Sequence, residues 1–243
     1  MRALSAQELL DVWERGLARA PAQRALELLA AACPETPPDS LAALTIGQRD
    51  AKLLTLREWA FGARMTGVAV CPACGRRLEL PFNAAEMRSG SQAPESEVSV
   101  SAAGYDVRFR PPNGEDAIAA AGLADIGGGR RLILQRCLLS AHYNGEPVDG
   151  DRLPPEVVET VAQRMSEADP LADIQVVVAC PYCRHGWRAV FDVVSFFWTE
   201  IEAWAWRMLS DVHTLAAAYG WREPDILTLS PVRRQFYLEM VGA

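Results

Sequence analysis

Cys71-Pro72-Ala73-Cys74 and Cys180-Pro181-Tyr182-Cys183 are the stretches from which the fold is read. Each follows a β-prone run, 65–70 and 174–179. Each is followed by a glycine, Gly75 or Gly186, and then by a second extended run ending in Phe82-Asn83 or Phe191-Asp192. The offset between the copies is constant: Cys71 to Cys180, Cys74 to Cys183, Phe82 to Phe191 and Asn83 to Asp192 are each 109 residues apart. The pattern is an internal repeat of strand, knuckle, strand and helix start. A C-x2-C turn supplies two thiolates from one hairpin, and Zn²⁺ takes four ligands in a tetrahedron. Two facing hairpins therefore close one zinc site through Cys71, Cys74, Cys180 and Cys183. Four thiolates leave no open coordination position, so the metal is expected to be structural.

Three other readings of the cysteines follow from the same residues, one of them a vestigial site that has lost its metal. A disulfide within each knuckle requires an oxidising compartment, which nothing in the sequence indicates. Cys-Pro-Tyr-Cys also matches a glutaredoxin active site, where the motif opens a helix whose N-terminus lowers the thiol pKa. Here 184–191 reads as a turn and a strand, and a redox reading leaves Cys71 and Cys74 without a role.

The composition is that of an ordinary globular protein of 243 residues, half hydrophobic and 23% charged. The net charge of -7 and pI near 5.1 argue against a general nucleic-acid or anionic-membrane binder. Lys52 is the only lysine among 24 basic residues, which reads as compositional bias. Cys33 and Cys137 lie in apolar, helix-like runs and are expected to be buried thiols. The first nineteen residues read as an amphipathic helix and not a signal peptide, and 193–219 is broken by Glu200, Glu202, Arg207 and Asp211. Synthesis in the cytoplasm is expected.

Taken in order, Ser5 to Glu8 is a capping box opening a helix to about residue 18, and Pro21 starts a second helix to about 33. Thr45 caps a helix over 46–61, which Gly62 stops, with Leu53, Leu54, Leu56, Trp59 and Ala60 as its apolar side. A short helical turn at 83–87 follows the first knuckle hairpin, and 88–97 is a polar loop. Residues 98–101 and 105–110 alternate as a β-hairpin around Ala103-Gly104. Helices are expected at 113–121, at 130–141 after Gly127-Gly128-Gly129, and at 155–167. The triple glycine lacks the Gly-Lys-Ser/Thr ending and a preceding strand, so a loop is favoured over a phosphate site. His142 is placed at a helix end.

The longest helix spans 193–219 and ends at Gly220. Phe197, Ile201, Trp204, Ala205, Met208, Val212, Leu215 and Tyr219 share one arc, with Glu200, Arg207 and Asp211 opposite. Trp206 falls outside the arc, either as an ordinary exposed residue or as a partner anchor. Two short helices follow, the second capped by Ser230 with Pro231 at its first position and Phe236, Tyr237, Met240 and Val241 as its apolar side. The fold class is α+β and mainly helical: a small antiparallel zinc-ribbon-like unit of two hairpins surrounded by helices, with a long C-terminal helix and two short ones. A single compact domain over 1–243 is expected, with sub-regions 1–62, 63–87 with 173–192, 88–172, and 193–243.

No catalytic constellation is found among the three histidines, and no nucleophile elbow, metalloprotease helix or dinucleotide fingerprint is present.

The ending Gly220-Trp221, Asp225-Ile226-Leu227-x-Leu229-Ser230-Pro231-x-Arg233-Arg234, Tyr237-Leu238-Glu239-Met240-Val241 resembles the C-terminus of baseplate and hub-type proteins of contractile phage tails and phage-derived injection systems. Leu54-x-Leu56-Arg57-x-x-x-Phe61-Gly62 ahead of the first knuckle, and the second knuckle ahead of a strand and long helix, are similar to it as well. The resemblance implies a non-enzymatic baseplate component or tail-assembly factor, acting on other tail proteins and incorporated into a tail-like particle. A variant is an assembly chaperone for the tape-measure protein. Trp206, Trp221, Arg233, Arg234 and Tyr237 are the candidate partner-binding residues. A different class stays open: Arg76, Arg77, Arg184 and Arg188 beside a zinc ribbon suit a nucleic-acid-binding module.

Overall fold

The computed structural model describes residues 1–88, 95–123 and 125–242. Most of the 88–97 loop expected from the sequence lies outside them.

The chain opens with helices α1 (Ala6–Gly16), α2 (Pro21–Ala32), α3 (Pro38–Ala42) and α4 (Ile46–Phe61). Ser5 and Glu8 form the expected capping box on α1, and Thr45 and Gln48 form another on α4. Gly62, at φ 89°, stops α4 in a conformation that favours glycine. Helix α3 was not expected: Pro38 occupies its first turn, where a missing N–H costs nothing.

Strands β1 (Arg64–Val70) and β2 (Arg77–Asn83) form an antiparallel hairpin that runs into α5 (Ala84–Arg88). Strands β3 (Val98–Ala102) and β4 (Tyr105–Phe109) are the second hairpin, closed by a turn with positive φ at Ala103 and Gly104. Helices α6 (Gly114–Ala121) and α7 (Ile126–Cys137) follow, then β5 (Leu138–Tyr143) and β6 (Glu146–Pro147). The order in this sheet is β3-β4-β5-β6. Residues 138–141 were expected to continue a helix. They are strand because β5 pairs along β4, from Phe109 opposite Leu138 to Tyr105 opposite Tyr143. His142 accordingly lies in a strand and not at a helix end.

Helix α8 (Pro155–Ala168) leads to the second knuckle hairpin, β7 (Gln175–Ala179) and β8 (Gly186–Val190). The hairpin runs into α9 (Val193–Tyr219), which Gly220 ends in the left-handed region. Helices α10 (Glu223–Leu227) and α11 (Pro231–Gly242) complete the chain.

Three apolar clusters organise these elements. The largest joins α1, α2, α4, α9 and α10 through Val12, Leu28, Leu29, Leu53, Phe197, Ile201, Leu215 and Ile226. The expected arc of α9 is its core face from Phe197 to Leu215, with Trp204 half-buried, but Tyr219 at its end is exposed. On α4 the buried side is Leu53, Leu54, Leu56 and Arg57, while Trp59 and Ala60 are exposed, which corrects the expected face. A second cluster packs α8 on the four-stranded sheet around Val107, Phe109, Val157 and Val161. The third consists of Cys71, Leu78, Val178 and Cys180, between the knuckle hairpins.

Buried polar contacts tie the clusters together. Gly47 donates its backbone N–H to the buried Asp169 carboxylate at 2.8 Å. A Cβ on Gly47 would stand 1.8 Å from Asp169 Oδ1, so only glycine admits that contact. Asp116 accepts from Arg110, Arg136 and the Asn113 N–H. Burial alone would raise its pKa, but Arg110, Asn113 and Arg136 outweigh it and hold it at about 2. The acidic residues of α9 are not simply solvated: Glu200 pairs with Arg57 and Asp211 with Arg234.

Candidate metal centre

The two knuckles fold alike, residue for residue. Cys71 donates its backbone N–H to the Arg76 carbonyl at 2.9 Å, and Cys180 donates to that of His185 at 2.9 Å. Gly75 donates to the Cys71 carbonyl and Arg184 to that of Cys180, both at 2.9 Å. Positions 75 and 184 are equivalent under the 109-residue offset, and both have positive φ, 71° and 61°. The true counterpart of Gly75 is thus Arg184, and Gly186 is the first residue of β8. Asn83 accepts from the Ala85 N–H at the start of α5, as Asp192 accepts from the Ser195 N–H at the start of α9.

The copies face one another across a local pseudo-two-fold axis. Cys71 Sγ lies 3.6 Å from Cys183 Sγ, and Cys74 Sγ lies 3.7 Å from Cys180 Sγ. Exchanging the copies turns one contact into the other. Phe82 and Phe191, also equivalent, meet with ring centroids 5.5 Å apart. Phe82 can cross β1 because Gly67 lies beneath it: a Cβ there would come within 2.6 Å of the ring. Burial follows the same symmetry, with Cys71 and Cys180 buried and Cys74 and Cys183 exposed.

All four sulfurs lie within 4.8 Å of one another. Thiolates about 2.3 Å from a tetrahedral Zn²⁺ stand about 3.8 Å apart, so the contacts of 3.6 and 3.7 Å match that requirement. They are far too long for a disulfide of about 2.05 Å, and all six cysteines are free thiols. Backbone amides carry one sulfur, that of Cys180, toward charge. Burial opposes ionisation of Cys180, but the N–H groups of Cys183 and Tyr182 prevail and bring its pKa down to about 6. The His185 N–H favours the Cys183 thiolate, yet burial and the sulfurs of Cys74, Cys180 and Cys71 outweigh it and push that thiol up to about 12. Four thiols crowded together resist collective ionisation unless a cation is placed among them. The donor set, spacing and amide contacts all suit zinc.

Cys180 and Cys183 sit in a turn between strands, so no helix N-terminus activates a thiol as the glutaredoxin reading requires. The triple glycine begins α7, and Asp125 accepts from the Gly127 and Gly128 N–H groups at 3.2 and 2.8 Å. Those amides are occupied by a carboxylate of the chain itself.

The chain matches the family described as T4 bacteriophage base plate protein over residues 17–198. It belongs to that family. The matched stretch includes both knuckles and ends within α9, and membership gives the chain a structural or assembly role in a phage tail. No curated protein and no solved structure matches the chain. Among the described residues, no helix of this baseplate-family chain is long and apolar enough to cross a membrane.

The other candidate residues are spread over the C-terminal helices. Trp206 is 64% exposed and rests edge-on against the buried Trp13, ring centroids 6.0 Å apart. Trp221 and Tyr237 are half-buried and pack on each other and on Tyr219. Arg233 is exposed, whereas Arg234 turns inward to Asp211 at 3.0 Å. Of the apolar side expected on α11, only Tyr237 is half-buried; Phe236, Met240 and Val241 are exposed, and Val232, which the sequence reading did not include, extends them into an exposed stripe at four-residue spacing.

Proposed function

We propose that this chain is a non-enzymatic part of a contractile-tail or injection-system baseplate, working through protein–protein contacts on a scaffold pinned by one structural zinc. The observation that carries this reading is the family match, which spans both knuckles. The four-sulfur cluster supports the zinc, with Cys71, Cys74, Cys180 and Cys183 as ligands. A metal there joins segments more than a hundred residues apart and fixes the start of α9 relative to α4 and α5. The chain acts as a single domain in this reading, because α9 follows directly from the second hairpin and forms the spine of the largest apolar cluster. Trp206, Arg233 and the α11 stripe are the exposed C-terminal features offered to other tail proteins, with Trp221, Tyr237 and Arg234 holding that region in place.

Quantitative proteomics of isolated tail particles tests the reading. Presence at a fixed ratio to the other baseplate proteins is expected. Absence from particles that need the gene for assembly would make the chain an assembly factor. Absence with normal assembly would overturn both roles.

A further inference from the structure

Around the four sulfurs the sequence is mostly basic: residues 71–82 and 180–191 contain Arg76, Arg77, Arg184, Arg188 and His185 against one acidic residue, Glu79. In a chain with 31 acidic and 24 basic residues and a net charge of -7, the knuckle region has the opposite sign. Two of the four arginine charges balance a zinc tetrathiolate, which carries a net charge of about -2, and Glu79 balances a third; one positive charge remains in surplus. Arg76, Arg77 and Arg184 are exposed, and no carboxylate pairs with them among the described residues.

Two features show that the arginines are built in. The Arg76 guanidinium lies 4.2 Å from the Tyr182 ring, so a residue of the first knuckle is held against the tip of the second. Arg184 occupies a left-handed backbone position, φ 61°, where its counterpart is Gly75. That conformation costs a non-glycine residue roughly 1–2 kcal/mol, so the side chain is kept at a site where the backbone favours glycine.

We propose that this knuckle pole docks an acidic, Asp/Glu-bearing segment of a neighbouring tail protein; the proposal rests on the baseplate reading above. A long nucleic acid suits the surface less well. It would run past the small pole onto a chain whose remaining surface is acidic, and at physiological salt charges repel over about 8 Å. A short acidic segment touches the pole alone.

The test uses the full chain loaded with zinc, and fluorescence anisotropy of a labelled oligo-glutamate peptide and a labelled DNA duplex. Salt-sensitive binding of the peptide is expected. Arg76→Glu/Arg77→Glu/Arg184→Glu should weaken it by about tenfold or more, as reversal of complementary charge does, with zinc content and melting temperature retained. Arg19→Glu/Arg130→Glu/Arg131→Glu, an equal change of net charge at exposed arginines elsewhere, should leave it within about twofold. No peptide binding, equal loss in the control, or tighter binding of the duplex that is lost in the same variant would overturn the proposal. Particle proteomics separates the two failures. If the wild-type chain is absent from particles and not needed for assembly, the baseplate reading fails; if it is present and the peptide result is negative, only the docking surface fails.

Discussion

Cys71 Sγ lies 3.6 Å from Cys183 Sγ although 112 residues separate them in the chain. The equivalent contact, Cys74 to Cys180, is 3.7 Å. Chain that brings four thiols this close has to offset their mutual repulsion on ionisation, and a divalent cation does so. Protein purified without chelator is expected to hold one zinc per chain by elemental analysis, bound by all four cysteines. Cobalt exchanged into the site should show the intense visible absorption of a tetrahedral tetrathiolate. Metal-free protein that keeps its full stability would rule the centre out.

Metal binding is coupled to folding, so ligand and non-ligand cysteines should respond differently to substitution. Cys74→Ser should lose the metal and about 2–3 kcal/mol, or about 5–10 °C in melting temperature at this chain length. Cys33 lies buried in the largest apolar cluster, away from the sulfur site. Cys33→Ser should cost less and leave zinc content intact. Chelation should bring the wild type down to the Cys74→Ser value. Equal melting temperatures for both variants would show that the knuckles do not stabilise the chain through a metal. Hydrogen exchange should show the two hairpins losing protection first, because α1, α2 and α9 are held by a separate cluster.

Arg57 ties the helix before the first knuckle to the helix after the second. Its Nε and Nη2 donate to the Glu200 carboxylate at 2.8 and 2.6 Å, and its Nη1 donates to the Gly62 carbonyl. The Arg57 side chain is 4% exposed and that of Glu200 28%. Removing one partner of such a pair strands the other, at a cost of about 3 kcal/mol. Arg57→Ala should therefore destabilise strongly, because it also frees the Gly62 carbonyl. Glu200→Gln keeps a hydrogen-bonding group near solvent and should cost about 1 kcal/mol. Denaturant midpoints with an unchanged m-value would check the ordering.

The repeat was legible because knuckle chemistry is local: two cysteines, a tight turn and a capping Asn or Asp recur at one offset. The bounds of α4 and α9 were legible for the same reason, since Thr45, Gly62, Asp192 and Gly220 act on the adjacent backbone alone. What could not be read depended on distant partners. Leu138 to Ala141 suits either helix or strand, and pairing with β4 decides. Glu200 and Asp211 read only as residues opposite the apolar arc; their partners Arg57 and Arg234 come from other helices. The sequence placed glycine at Gly75 and Gly186, but the backbone makes Arg184 the equivalent of Gly75. Facing of the two hairpins was inferred from metal chemistry, whereas the Phe82–Phe191 contact was visible only in three dimensions.

Asp50 gives the chain an opposite pH response from an ordinary paired carboxylate. It is 6% exposed and accepts from Arg49 Nε at 2.7 Å. Burial raises its pKa; Arg49 opposes this, Asp192 and Asp169 add to it, and the result is about 6. Since the unfolded value is near 3.9, the folded state binds a proton that the unfolded state does not between about pH 4 and 6. The contribution to stability is therefore fully present below about pH 4 and lost as pH rises through 6, amounting to about 2–3 kcal/mol. Asp116, held at about 2, works in the other direction: its contribution is present above about pH 4 and lost as pH falls toward 2. Acid also protonates the knuckle thiolates, so the wild-type profile is a composite. Asp50→Asn removes only the first contribution, and the difference between the two proteins isolates it. The wild type should gain on the variant by about 2 kcal/mol between pH 7 and pH 4.5, measured as a relative shift in denaturant midpoint. Parallel profiles over that range would show that Asp50 does not change its protonation on folding.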